Sequence, residues 1–301
     1  MEDRILIISS VRNEAAHIER VVAAVGAQQL PPARWLVIDD GSTDDTLVRL
    51  RKLEAEHPFL TVLSAEPADS IVGHARDRLA RTPEVRNFYA GLQHVDLHAY
   101  SHLMKLDGDI ELPPHYLRVM LERFNAEPAI GIAGGVLVEP LRNGGRRAVR
   151  IPRHHVHGAL KLYSRECFEA IGGIQERLGW DTIDETYARM RGYRTVSYED
   201  IVSVHHRPIA SADGALRGRA RHGECAYILN YTLPWVVLRA AKVSLNPPRG
   251  LTGLALVYGY ARAAAKRTPR VDDPEFRSFT RSELRGRMAR APLRYLYRPS
   301  A

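Results

Sequence analysis

Apolar residues recur along the first 130 positions in two alternating rhythms. Ile5-Leu6-Ile7-Ile8 is a short unbroken apolar run, the pattern of a strand buried on both faces of a parallel sheet. From Asn13 to Gln28, Ile18, Val21, Val22 and Val25 fall at helical spacing, which predicts a helix with one stripe against that sheet. Pro31-Pro32 ends it, and Trp35-Leu36-Val37-Ile38 predicts a second strand. Asp39-Asp40-Gly41-Ser42 is turn chemistry, with Ser42 placed to cap a helix whose first turn carries Asp44 and Asp45, both favourable at the positive end of a helix dipole. Leu60-Thr61-Val62-Leu63 predicts a third strand and Leu103 to Leu106 a fourth, and Pro113-Pro114 start the next helix. Alternation of this kind predicts an α/β fold with a parallel sheet and right-handed crossovers, which binds ligands beyond the carboxyl ends of its strands.

Those strand ends are polar. The first runs into Ser9-Ser10-Val11-Arg12-Asn13-Glu14, the second into Asp39-Asp40-Gly41-Ser42 and the fourth into Asp107-Gly108-Asp109. Any one of them is explained by the frequency of Asp and Gly in turns. Three on one sheet edge predict a ligand crevice.

The usual glycine cradles for phosphate are missing. No Gly-x-Gly-x-x-Gly follows the first strand and there is no Gly-x-x-x-x-Gly-Lys-Ser/Thr, which removes the main support for a Rossmann dehydrogenase and a P-loop NTPase. A pyrophosphate held here needs another source of positive charge. A divalent cation supplies it, since Mg²⁺ takes one or two protein carboxylates and completes its shell with water and phosphate oxygens. Asp109, with Asp107 directly or through water, fits that arrangement.

With these residues in place, the segments ILIISSVRNEAAHI, VIDDGSTDDT and KLDGDIELPP resemble successive motifs of the family 2 glycosyltransferases, inverting enzymes that use nucleotide-sugars. The resemblance runs from about Ile5 to His206. It implies the GT-A fold: a Rossmann-like nucleotide-diphospho-sugar transferase with a mixed, mostly parallel sheet flanked by helices. By the same resemblance Ser9, Asn13 and Glu14 lie along the nucleotide and Asp40 meets the base. Asp107 and Asp109 match the DXD motif that holds Mn²⁺ or Mg²⁺ against the donor diphosphate, and His205, of the pair His205-His206, is a further ligand. IVGHARDRLA is similar to a donor-binding helix and makes Arg76 a donor contact, with Arg86-Asn87 as the alternative.

The acceptor side is similar to the family over the segment from His155 to Thr195. There an acidic residue precedes a helix that ends near a glycine, and counting back 11 residues from Gly192 reaches Asp181. Direct displacement at an anomeric carbon needs a base for the acceptor hydroxyl. Asp181 is that candidate, with Asp184 and Glu185 as alternatives. His154, His155 and His157 lack the spacing of helical ligand pairs and read as acceptor-side loop residues. The resemblance divides the chain into a nucleotide-sugar half (1–135), an acceptor half (136–225) and a helical, basic extension (226–301).

Charge bears on that extension. From Ala241 to Ala301 there are thirteen Lys or Arg against four Asp or Glu, so the whole excess of +8 sits in the tail. A nucleic-acid partner is not expected, because the basic residues are not spread over a globular face and no zinc-finger or RNA-binding motif occurs. A tail that interleaves cations with Leu251 to Tyr260 fits peripheral contact with an anionic membrane, or a helical tail with a solvated basic face. Leu251 to Ala261 is too short to span a bilayer, which takes about 20 apolar residues. The acidic start Met1-Glu2-Asp3-Arg4 lacks signal-peptide character and Cys167 and Cys225 form no metal spacing, so the expected location is the cytoplasm. The expected partners are a nucleoside diphosphate-sugar donor and a glycan or lipid-linked acceptor, with a homo-oligomer left open. A metal-dependent phosphohydrolase and a non-catalytic sugar-nucleotide or glycan-binding protein remain as alternatives.

Overall fold

The computed structural model describes residues 3–65, 82–141, 144–149, 151–207 and 214–290. They form two compact units, Met1–Pro208 and Ile209–Ala301.

The first unit is built on one mixed nine-stranded sheet. β1 (Ile5–Val11) lies between β2 (Arg34–Asp39) and β4 (His102–Leu106), and β3 (Leu60–Ser64) extends the same edge, all parallel. Beyond β4 the order is β8 (Leu160–Ser164), β6 (Ile130–Pro140), β9 (Arg194–His205) and β5 (Ile110–Glu111). β8 runs antiparallel to β4 and β6, β6 and β9 are parallel, and β7 (Arg146–Val149) pairs with β6 off this path.

The apolar runs are double-sided for the reason the pattern implied. Ile5, Ile7, Trp35 and Val37 face one core with α1 (Ile18–Gly26), α2 (Thr46–Glu56) and α4 (Tyr116–Ala126). Leu6, Ile8, Leu36 and Ile38 face another with α3 (Pro83–Leu92), α5 (Arg165–Ala170) and α6 (Trp180–Met190). Because successive side chains of a strand point to opposite faces, a strand covered on both sides is mostly apolar at consecutive positions.

Three local expectations change. α1 starts at Ile18 rather than near Asn13, because Asn13 adopts the left-handed conformation (φ 56°) that stops a helix from starting there. Ser42 does not cap α2. Its hydroxyl is hydrogen-bonded to Asp39, and α2 begins at Thr46, where Asp44 accepts from the Thr46 N–H at 3.0 Å. Pro113-Pro114 lie in the lead-in to α4, which begins at Tyr116.

The second unit contains α7 (Gly214–Ile228), α8 (Leu233–Val243), α9 (Leu251–Ala265) and α10 (Pro274–Arg290). The expected boundary at 225/226 falls inside α7, which belongs with the tail. α7 and α9 cross closely through small residues: a Cβ on Gly223 would lie 1.9 Å from the Leu256 carbonyl oxygen, and one on Gly259 1.8 Å from that of Ala220. Among the described residues no helix is long and apolar enough to cross a membrane.

Candidate active site at the sheet edge

The loops after β1 and β2 are stitched together at the carboxyl edge of the sheet. Asn13 N–H donates to Ser42 Oγ (3.0 Å), Thr43 N–H to Asn13 Oδ1 (2.8 Å) and Glu14 N–H to Thr46 Oγ1 (2.8 Å). Asn13 therefore holds two loops together, and Asp40 is buried at the end of β2 beside them. Ser9 requires correction: it is fully buried and accepts from Trp35 Nε1 at 2.9 Å, so it serves the core and not the crevice. Strand alternation turns Ser10 the other way, and its hydroxyl accepts from Asn87 Nδ2 at 2.8 Å. Arg86, next to it on α3, is half-buried, with Nη2 enclosed and not hydrogen-bonded. Arg76 lies outside the described residues.

The paired aspartates leave β4 where expected, and three elements hold them. Asp107 N–H donates to the Ala159 carbonyl (2.8 Å), and Lys105 Nζ donates to Asp107 Oδ1 (2.5 Å) and to the Gly158 carbonyl (3.0 Å). On the other side, β5 pairs antiparallel with the end of β9, Ile110 opposite His205. That register brings His205 Nε2 to 3.4 Å from Asp109 Oδ2, and His205 Nδ1 lies 3.9 Å from Glu139. His206 turns away to Glu111 (2.8 Å) and stacks on His17. Arg207 pairs with Glu14, and its Nε is 3.4 Å from Asp109.

These contacts set the charges. Burial works against the Asp109 carboxylate, but the hydrogen bond from His205 and the charges of His205 and Arg207 outweigh it, so its pKa is below the usual value. Burial and then the Asp109 charge push Glu14 up to about 7, against the pull of Arg207. Asp109, Asp107 and the His205 imidazole offer hard oxygen donors and one nitrogen, a set that suits Mn²⁺ or Mg²⁺. The described residues contain no cluster of three or more metal-ligating side chains in place. Such a set fits an ion whose shell is completed by water and by the ligand it is bound with.

Beyond Gly158 the three carboxylates at the start of α6 separate into two kinds. Asp184 and Glu185 are buried and committed. Lys161 Nζ bonds both Asp184 oxygens (3.1 Å each) and lies 3.2 Å from Glu185, Tyr163 Oη donates to Asp184 (2.5 Å), and Glu185 takes His155 Nδ1 (2.9 Å) and the Val156 N–H (2.7 Å). Burial disfavours the charges of Lys161 and His155, but the facing carboxylates win and raise both pKa values. These bonds tie Asp184 and Glu185 into the packing beneath α6. Asp181 is partly exposed in the first turn of α6, and its backbone carbonyl accepts from Lys161 Nζ at 2.6 Å.

Gly158 joins the two sides. A Cβ there would sit 3.3 Å from Asp181 Cβ and 3.0 Å from the Trp180 ring, while its carbonyl takes the Lys105 ammonium. Lys105 and Lys161 were not singled out in the sequence. A lysine inside an otherwise apolar strand, as in HLMKL and LKLYS, was the available signal. The three histidines at 154–157 form no metal site: His155 serves Glu185 and His157 is buried.

A half-parallel sheet of this order, with paired aspartates leaving β4 and an acidic helix start across the crevice, defines the GT-A class of nucleotide-sugar-dependent fold. The chain belongs to glycosyl transferase family 2, whose sequence profile matches residues 6–175, and it is a glycosyltransferase. None of the curated proteins is a significant sequence match. Solved structures share the fold. The mannosyltransferase PcManGT from Pyrobaculum calidifontis, in complex with GDP-Man and Mn²⁺, is 19% identical, with 99% of this chain and 88% of that one covered and a TM-score of 0.55. S. aureus TarS 1-349 in complex with UDP-GlcNAc is 15% identical, covering 94% and 92%, with a TM-score of 0.56. GalNAc-T7 with UDP, GalNAc and Mn²⁺ is 13% identical, covering 96% of this chain and 58% of that one, with a TM-score of 0.57. Family membership sets aside the phosphohydrolase alternative.

Proposed function

We propose that the protein is an inverting glycosyltransferase that moves a sugar from a nucleoside diphosphate donor to a hydroxyl of a glycan or lipid-linked acceptor, in the synthesis of a polysaccharide, glycolipid or cell-envelope glycan. The observation that carries this reading is the link through Gly158 between the paired aspartates that follow β4 and the partly exposed Asp181 on α6. The donor base packs at Asp40 and the loops joined by Asn13, and the diphosphate reaches Asp107 and Asp109. Asp109, Asp107 and His205 would hold Mn²⁺ or Mg²⁺, which would supply positive charge beside the leaving diphosphate. Solved relatives that carry Mn²⁺ with a nucleotide or nucleotide-sugar support this choice of cofactor.

In the reaction the acceptor oxygen forms a bond to the anomeric carbon as the bond from that carbon to the diphosphate oxygen breaks. The hydroxyl proton passes to Asp181, and attack from the face opposite the leaving group inverts the centre. Arg86 and Arg207 add positive charge on the diphosphate side. Arg76, outside the described residues, is a further donor contact by family resemblance.

A thermal-shift screen of nucleoside diphosphates and nucleotide-sugars with Mn²⁺ or Mg²⁺ tests donor binding, and NMR of the product tests inversion. The expected result is a rise in melting temperature that needs both nucleotide and metal. If no nucleotide raised it, or if the product retained the donor's anomeric configuration, the reading would be wrong.

A further inference from the structure

The second unit exposes far more apolar surface than the first. Of eleven exposed large hydrophobic side chains among the described residues, eight belong to it, although it is less than half the length of the first unit. Six of them are 51–66% exposed: Leu233 and Val237 on α8, Leu245 in the link, and Leu251, Leu254 and Tyr258 on α9. Spacings of four on α8, and of three and four on α9, give each helix a single outward stripe. The opposite faces are already used, with Val236, Ala240 and Leu256 in the unit's own core. Exposed apolar surface on this scale marks an interaction site.

Charge identifies the partner. From Cys225 to Val271 there is no Asp or Glu, while seven Lys or Arg occur, among them Arg239, Arg249, Lys266 and Arg267; Arg262 is paired with Glu224 of α7. We propose that the α8–α9 hairpin is a membrane-docking surface that lies on an anionic lipid bilayer, its apolar stripes in the headgroup boundary and its cations on the phosphates. A second copy of this chain is the poorer occupant, since face-to-face pairing would oppose two acid-free basic hairpins. The proposed attachment is peripheral and reversible, and among the described residues no helix is long and apolar enough to cross a membrane. The proposal does not depend on the reaction assigned to the crevice.

Co-sedimentation of the full chain with vesicles tests it. The expected result is binding to vesicles of equal parts phosphatidylglycerol and phosphatidylcholine, weak binding to phosphatidylcholine alone, and loss of binding at high salt. Leu254→Glu/Tyr258→Glu is expected to weaken binding at least tenfold. Arg249→Glu/Lys266→Glu, which leaves the apolar stripes intact and stands in should the first pair fail to fold, is expected to weaken it on the order of tenfold as well. Circular dichroism confirms the helices of each variant. Equal binding of wild type and folded variants would overturn the proposal. So would absence of binding to the anionic vesicles, including the case where light scattering shows a dimer that Leu254→Glu/Tyr258→Glu dissolves.

Discussion

Lys105 on β4 and Lys161 on β8 stand directly opposite each other in the antiparallel register, both buried, and both beneath the ring of Trp180. Their ammonium groups diverge. Lys105 reaches Asp107 and the Gly158 carbonyl, and Lys161 reaches Asp184, Glu185 and the Asp181 carbonyl. One pair of neighbouring strands thereby sets the spacing between the paired aspartates that follow β4 and the start of α6.

Lys161→Met is expected to destabilise the protein by about 3–5 kcal/mol, because it leaves two buried carboxylates facing one another without their cation. Urea unfolding measures this. Lys105→Met is expected to cost clearly less, since the Asp107 carboxylate it leaves behind is open to water. Equal losses would show that the two lysines do not differ in this way.

Substitutions of the two aspartates on α6 are expected to separate chemistry from stability. Asp181→Asn is expected to keep the melting temperature and lower transfer by about 10²- to 10⁴-fold, the range for loss of a general base. Asp184→Asn is expected to cost on the order of several kcal/mol of stability, through its bonds to Lys161 and Tyr163. Wild-type transfer by Asp181→Asn would exclude that residue as the base.

Asp109→Ala is expected to retain the fold and to lose metal-dependent transfer on the order of a hundredfold or more, as metal stabilisation of the leaving group is worth several kcal/mol. Calorimetry with Mn²⁺ and nucleoside diphosphate is expected to show weakened joint binding. His205→Ala removes the nitrogen donor and is expected to have a smaller effect on both readouts.

Two buried groups give stability opposite dependences on pH. Burial lowers His157 from 6.5 to about 4, so its contribution is complete above pH 6.5 and is lost as pH falls toward about 4. Glu14 is raised from 4.5 to about 7, so its contribution is complete below pH 4.5 and is lost as pH rises through about 7. Each shift corresponds to about 3 kcal/mol, and between pH 4.5 and 6.5 the two nearly cancel. His157→Asn is expected to make stability fall with rising pH across that window, and Glu14→Gln to make it rise. Chemical unfolding at a series of pH values checks both slopes, and parallel slopes in the two variants would contradict the assignment.

Much of the nucleotide half was legible in the chain because its strands are covered on both faces. Burial on both sides forces unbroken apolar runs such as Ile5–Ile8 and Trp35–Ile38, and the polar sheet edge follows within a few residues of each. The errors were local ones. Ser9 read as a crevice residue because it follows the apolar run, but it is still inside β1 and faces Trp35. Ser42 read as a helix cap because a hydroxyl there suits one, but Asp39 is nearer.

By itself the sequence determined the order of the first four strands, the polar strand ends, the paired aspartates and the basic tail, since each is written in consecutive residues. Only the tertiary structure decided how those pieces meet. The pairing of β5 with β9 brings His205 to Asp109 across 95 intervening residues, and the register of β4 with β8 sets Lys105 beside Lys161. The different surroundings of Asp181, Asp184 and Glu185 belong there too. All three lie on one turn and a half of helix and differ little as a string, and it is the buried lysine beneath α6 that neutralises two of them and leaves the third to the crevice.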